Sequence, residues 1–389
     1  MAGSMYHRRG EIMTMKKGTE ILLAGALIWG LIFISCRSGH DEVASVANAK
    51  PKFEQYAQLE RLYSIDVTDI SMFSKESATD FDRAMSFDSR HNLYILDTHE
   101  SRISVFDDKG RFARAFGRAG QGPEEFTNPN RLVIKDDRIY VFEGFTGLKI
   151  LSLDGAYISK GVVNIENPLK LRAVGDHFYL LRGRTDPTFT KLEFLLTRED
   201  ELFSGGQQLF SYEYPPGLRG PNYDFGWHDW LLIAEDGAFF YPEDNFNKYT
   251  LIKYSRTGKP ELVFGRTYEI REYSKKAKDR FHSLYAGQIK RGEVQFPQSP
   301  PVVGNMFQDE KKNVWVIAGE SSEDNDDPEF ENAIDIFSEK GEWLSSMKSR
   351  SLSRFCHYHD GMIYKIPSID SDTLGQSIEV FKIKYLDLR

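Results

Sequence analysis

Four places in the 389-residue chain gather side chains that could do chemistry. His357 and His359 stand two apart, so on a strand both would face one way and could offer imidazole nitrogens to a metal. Such a site would need further carboxylate or histidine ligands from distant parts of the chain, and no second close histidine pair exists. Asp324, Asp326 and Asp327 lie in the acidic run 322–331, whose hard oxygens suit Ca²⁺. The run lacks the glycine and distal glutamate of an EF-hand and reads as a solvated loop. Tyr223, Trp227, His228 and Trp230 crowd the connection 221–230 (PNYDFGWHDW). Aromatics on a connection can stack on sugar rings or anchor a partner, so these four are the candidate ligand-binding residues. Gly117, Gly120 and Gly122 resemble a phosphate loop only superficially, since the lysine and the strand–loop–helix setting are missing. No Gly-x-Ser-x-Gly, His-Glu-x-x-His or Cys-x-x-Cys occurs. No catalytic residue, metal site or cofactor is therefore assigned.

The elements that must position these groups repeat. Short apolar-aromatic strands alternate with Asp/Gly turns, as in residues 85–117, and the pattern returns near 132, 171, 231, 305 and 355. Each unit sets an aromatic after an acidic turn: Tyr94, Tyr140, Tyr179, Phe239, Trp315 and Tyr364. Later turns fall at Gly110, Gly155, Asp200, Gly258 and Gly341. Six units of about four strands predict an all-β, six-bladed β-propeller with antiparallel blades, because one small sheet cannot bury both faces alone. The sixth unit shows three strands, and a spare strand, residues 59–67, precedes the first. The N-terminal strand is expected to close the last blade. The largest insertion, 265–302, carries Tyr273, Ala277, Phe281 and Leu284 or Tyr285 at helical spacing, with Lys275, Lys276, Lys278 and Arg280 on a basic side. An amphipathic helix is expected there, as packed decoration, docking surface or lid.

Net charge is −8, which argues against nucleic acid as a partner. Two cysteines exclude a disulfide-built scaffold. The N-terminus reads as a targeting segment: Lys16 and Lys17, an apolar run from Ile21 to Ile34, then Ser35 and Cys36. The run is shorter than the roughly 20 residues that span a bilayer. It resembles the lipobox of bacterial lipoproteins, with Phe33 where leucine is usual. The resemblance implies cleavage after Ser35, acylation of Cys36 and the lipid bilayer as a partner. The expected organisation is signal 1–35 (1–14 an over-extended start), flexible tether 36–56 and propeller 57–389. Removing 1–35 takes the net charge to −10. Cys356 is then expected as a buried free thiol.

In the first blade, Asp97, Arg102, Ile103, Phe106, Asp107, Gly110, Phe112, Phe116, Gly117, Gly120, Gly122, Phe126 and Pro129 follow an NHL-type repeat, and the match fades afterwards. Together with the lipobox, the chain resembles the lipid-anchored six-bladed propeller proteins of Bacteroidota. Asp97 and Arg102 are expected to hydrogen-bond within and between turns. The resemblance implies a cell-envelope location, on the periplasmic face or the cell surface. The leading functional expectation is a non-enzymatic binding or scaffold module for a protein, peptide or glycan. The alternative is a metal-dependent hydrolase or lyase of the lactonase kind, with its site in the axial channel.

Overall fold

A computed structural model describes residues 43–71, 81–144, 146–163, 165, 168–185, 192–200, 203, 205–213, 230–270, 272–273, 275–290, 299, 301–318, 331–352, 355–367 and 377–387. They belong to the unit Glu42–Arg389. The signal segment and Cys36 lie outside them, as do Tyr223, Trp227, His228 and the acidic residues 322–330.

Two strands come first, β1 (Ala44–Asn48) and β2 (Ala57–Asp66), then a helical turn, α1 (Phe81–Ala84). Blade one is β3–β6 (Met85–Phe87, Leu93–Asp97, Arg102–Phe106, Phe112–Phe116). Blade two is β7–β10 (Pro129–Lys135, Arg138–Glu143, Gly147–Ser152, Tyr157–Val162). Blade three is β11–β14 (Pro168–Val174, His177–Thr185, Leu192–Glu199, Gln207–Glu213). Blade four is β15–β18 (Leu232–Ile233, Phe239–Pro242, Thr250–Tyr254, Pro260–Arg266), followed by helix α2 (Lys275–Lys290). Blade five is β19–β22 (Val303–Gln308, Val314–Ala318, Asn332–Phe337, Trp343–Ser349). Blade six is β23–β25 (Cys356–His359, Met362–Lys365, Ser377–Tyr385), with β2 as its fourth strand. Each blade is an antiparallel meander, and the six form a ring: a six-bladed β-propeller. β2 runs antiparallel to β25 from Ala57↔Tyr385 to Asp66↔Ser377, so first and last blades are locked together as expected.

The six expected aromatics all fall on the second strands, and all are buried. They enter clusters that join one blade to the next, such as Tyr140 with Phe178 at 5.0 Å. Burial between neighbouring sheets is what a single blade lacks. The turns between third and fourth strands place Gly110, Gly155, Gly258 and Gly341 at φ between 75° and 92°. Each also presses on a neighbouring blade: a Cβ on Gly155 would lie 2.6 Å from the Phe116 ring, and one on Gly258 would lie 2.0 Å from the Leu209 carbonyl. Turn conformation and close approach therefore both demand glycine.

Local polar chemistry fixes the first turns. Asp88 accepts the Arg90 and Asn92 N–H groups, the Asn92 amide and the Tyr94 hydroxyl. Asp309 repeats this in blade five with Lys311, Asn313 and the Trp315 indole N–H at 2.7 Å. Asp97 accepts from Ser71, His99 and Glu100, and Arg102 donates to the Asp69 carbonyl, as the sequence suggested.

One expectation needs correcting. The stretch read as a flexible tether contains β1, which pairs in parallel with β18 from Ala44↔Leu262 to Asn48↔Arg266. The Asn48 side chain donates to the carbonyls of Gly265 and Gly341 and accepts the Trp343 N–H, each at 2.9 Å. Lys52 and Phe53 then donate backbone bonds to Trp343 and Leu344. Residues 44–66 thus strap the outer edges of blades four, five and six in turn. Backbone pairing carries this attachment, so a small, polar composition does not betray it.

Candidate functional site

All six innermost strands line an axial channel of about 340 Å³, within the size range of small-molecule sites. Its polar side chains come from different blades: Lys170 and Arg172 from β11, Glu235 just past β15, Asn305 from β19, His357 and His359 from β23. Met85, Phe87, Leu132 and Met306 supply apolar wall. On β11, Lys170 and Arg172 stand two apart past a bulge at Leu169 and both line the channel, while Leu169 and Leu171 are buried. Arg172 Nη1 donates to the Ile233 carbonyl at 2.6 Å, bridging blades three and four. The Asn305 amide donates to the Cys356 carbonyl at 3.0 Å, bridging blades five and six. Among the described residues, the lining holds Lys170 and Arg172 with the carboxylate of Glu235, on a chain of net charge −8.

The histidine pair does line the channel. His359 stacks on Phe87 at 4.0 Å with planes 7° apart, and His357 meets the same ring at 5.7 Å. Burial, followed by the positive fields of His357, His91 and Arg172, pushes His359 down to about 3, against a smaller opposing pull from Asp88. His359 is therefore neutral at ordinary pH, an aromatic packing element between blades six and one. His91 Nδ1 lies 3.3 Å from Asp360 Oδ2 without hydrogen-bond alignment. On the same strand, the Tyr358 phenol donates to Glu310 Oε2 at 2.8 Å, and burial raises its pKa. Among the described residues, no three His, Cys, Asp or Glu side chains are grouped to hold a metal ion.

Of the four aromatics on the 221–230 connection, Trp230 alone is described. It is buried, 3% exposed, edge-on to Phe246 at 5.6 Å, so it packs the core and offers no surface to a ligand. Cys356 is a buried free thiol, as expected. The amphipathic segment is helical over 275–290, with Tyr273 buried just before it and Lys278 3.3 Å from Glu272. Lys170, Arg172, Glu235 and Asn305 were not singled out in the sequence. Two cations set two apart on an apolar strand are a local signal for Lys170 and Arg172; Glu235 and Asn305 carry none.

A family model described as a 6-bladed beta-propeller (DUF5128) matches residues 85–217, which hold blades one to three. No curated protein matches the chain. Solved structures similar to it include an exported protein of Bacteroides fragilis, 12% identical over 89% of this chain and 100% of that one, at a TM-score of 0.49. BamB from Moraxella catarrhalis is 11% identical over 84% and 99%, at 0.41. Virginiamycin B lyase from Staphylococcus aureus is 9% identical over 85% and 100%, at 0.35. The family match covers three blades, and the strand order completes the ring with three more.

Proposed function

We propose that this chain is a cell-envelope lipoprotein, held at the bilayer by acylated Cys36, whose propeller binds an acidic group of a protein, peptide or glycan without transforming it. The observation that carries this reading is the channel lining. Among the described residues, Lys170, Arg172 and Asn305 line one space with Glu235 as its carboxylate, an arrangement that favours anions. The lactonase-like alternative calls for carboxylate or histidine ligands from at least three blades. Among the described residues, the channel offers Glu235 from blade four and two histidines of blade six, one of them stacked on Phe87. Lipid attachment rests on the Ser35-Cys36 motif, and the NHL-type character of blade one on its Asp97-to-Pro129 pattern.

The test is fluorescence anisotropy with a labelled glutamate-rich peptide and a lysine-rich control. The acidic peptide binds, and its affinity falls as salt rises because exposed charge pairs are screened. Arg172→Ala weakens binding roughly tenfold, the cost of one charge-assisted contact, and Arg172→Lys recovers part of it. Equal binding of both peptides, or none, refutes an anion site. Lactone turnover that tracks a stoichiometric bound metal would install the enzyme reading instead.

A further inference from the structure

A second hollow, of about 580 Å³, lies between blades two and three, away from the axis. Arg182, Leu195, Thr197, Glu199 and Gln208 form one wall, from strands β12, β13 and β14. Thr146, Val162 and Val163 face them from blade two, with Phe203 as apolar floor. Leu195, Thr197 and Glu199 alternate along β13 and so share a face.

Glu199 is 1% exposed, yet only one of its oxygens is satisfied. Oε1 accepts from Arg182 Nη2 and from the Thr197 hydroxyl at 2.6 Å. Oε2 is buried without a partner. A buried acceptor left without a donor is destabilising, and a ligand donor would relieve it. Gly206 makes room for the carboxylate: a Cβ there would stand 2.4 Å from Oε2.

The junction of blades four and five shows what fills the same kind of gap elsewhere. Counted from the turn glycines Gly155 and Gly258, the counterpart of Arg266 in blade two is Val163: the Arg266 N–H donates to the Tyr249 carbonyl as the Val163 N–H donates to that of Thr146. Arg266 reaches Asp335 on the third strand of the next blade at 2.8 Å, amid Tyr249, Tyr268 and Trp343. In blade two that counterpart, Val163, is apolar, its neighbour Val162 is 86% exposed, and Glu199 on the facing blade keeps an unpaired oxygen.

We propose that this groove is a binding site for a neutral carbohydrate ring, with Glu199 Oε2 accepting a ligand hydroxyl. The ligand is neutral because the charge of Glu199 is already matched by Arg182: an amine would bring a second cation beside the guanidinium, and an acid would face Oε2. Thr146, Thr197 and Gln208 supply further hydroxyl and amide groups, and Val162, Leu195 and Phe203 present an apolar wall to ring C–H groups. The inference goes beyond the channel reading and is independent of it.

Calorimetric titration with D-glucose, D-galactose, D-mannose and N-acetyl-D-glucosamine tests it. At least one of these sugars binds saturably. Glu199→Gln keeps its amide oxygen toward Arg182 and turns an NH₂ to the groove, replacing acceptor by donor, and binding falls at least roughly tenfold. Gln208→Ala, at an exposed position, weakens binding with no change in circular dichroism or Tm. Val162→Arg, at an 86% exposed lining position, brings a long cationic side chain to the groove wall and abolishes binding while Tm holds. Should Glu199→Gln fail to fold, Gln208→Ala and Val162→Arg decide alone. The proposal is overturned if none of the four sugars binds, if both of these variants bind like wild type, or if putrescine binds the groove in their place.

Discussion

The Arg266–Asp335 contact braces blade four against blade five, and its removal has a calculable consequence. Arg266 is 16% exposed and Asp335 1% exposed, with Nε to Oδ2 at 2.8 Å. The guanidinium lies 4.8, 5.4 and 5.0 Å from the ring centroids of Tyr249, Tyr268 and Trp343. Arg266→Met keeps most of the volume but strands the Asp335 carboxylate with the Ser346 hydroxyl as a remaining partner. Leaving one member of a buried pair costs about 3–5 kcal/mol. Loss of ring–cation attraction adds about 1 kcal/mol or more, since the site is largely desolvated. The expected loss is therefore about 4–6 kcal/mol. Arg266→Lys retains the charge but neither the planar stacking nor the fork, and should fall between. Arg266→Met combined with Asp335→Leu removes the stranded charge and should recover much of the loss, because apolar replacement of a buried pair is often neutral. Urea unfolding followed by tryptophan emission reads all four proteins, and Trp343 reports from the site itself. A loss under about 1 kcal/mol in Arg266→Met, or no recovery in the double variant, would refute the reasoning.

Two further outcomes follow from named groups. His359 titrates at about 3 in the folded chain, against an ordinary value near 6.5, so the unfolded chain takes up its proton first as pH falls. Its contribution to stability is complete above about 6.5 and drains progressively toward about 3, reaching about 2 kcal/mol lost between pH 8 and pH 5. His359→Phe keeps the stack on Phe87 and should flatten that part of the pH–stability profile; an unchanged slope would assign it to other groups. Cys36→Ala should abolish acyl labelling and membrane retention in the native host, whereas persistent labelling would contradict acylation at Cys36.

What could be read from the sequence was local. Tyr94, Tyr140, Tyr179, Phe239, Trp315 and Tyr364 announce themselves because an acidic turn and a strand of period two are contiguous in the chain. Gly110, Gly155, Gly258 and Gly341 are equally legible, since a positive φ leaves few other residues. The shared pattern behind Asp88-Asn92-Tyr94 and Asp309-Asn313-Trp315 is local too, but becomes visible only once each aspartate is seen to serve a turn and an aromatic at once. The channel set is different in kind. Lys170, Asn305 and His359 become neighbours only when six strands face one axis, and no spacing along the chain encodes that. Trp230 shows the opposite failure: its aromatic surroundings suggested a ligand surface, yet 3% exposure against Phe246 makes it core.

The strap alters the geometry of anchoring more than it alters the fold. A tether of residues 36–56 would allow an acylated chain to hold its propeller at a wide range of distances and attitudes. With β1 hydrogen-bonded along β18 and Asn48 fastened to both Gly265 and Gly341, the chain is attached from Ala44 onward. Eight steps from Cys36 to Ala44 reach at most roughly 29 Å fully extended. Under the proposed acylation, the outer edge of blade four is then held within that reach of the acylated residue by the covalent chain. The strap shields the outer edges of blades four to six, which would otherwise be open to other chains. The groove between blades two and three lies in the half of the ring that the strap never crosses, so a ligand bound there does not compete with the segment that ties the propeller down.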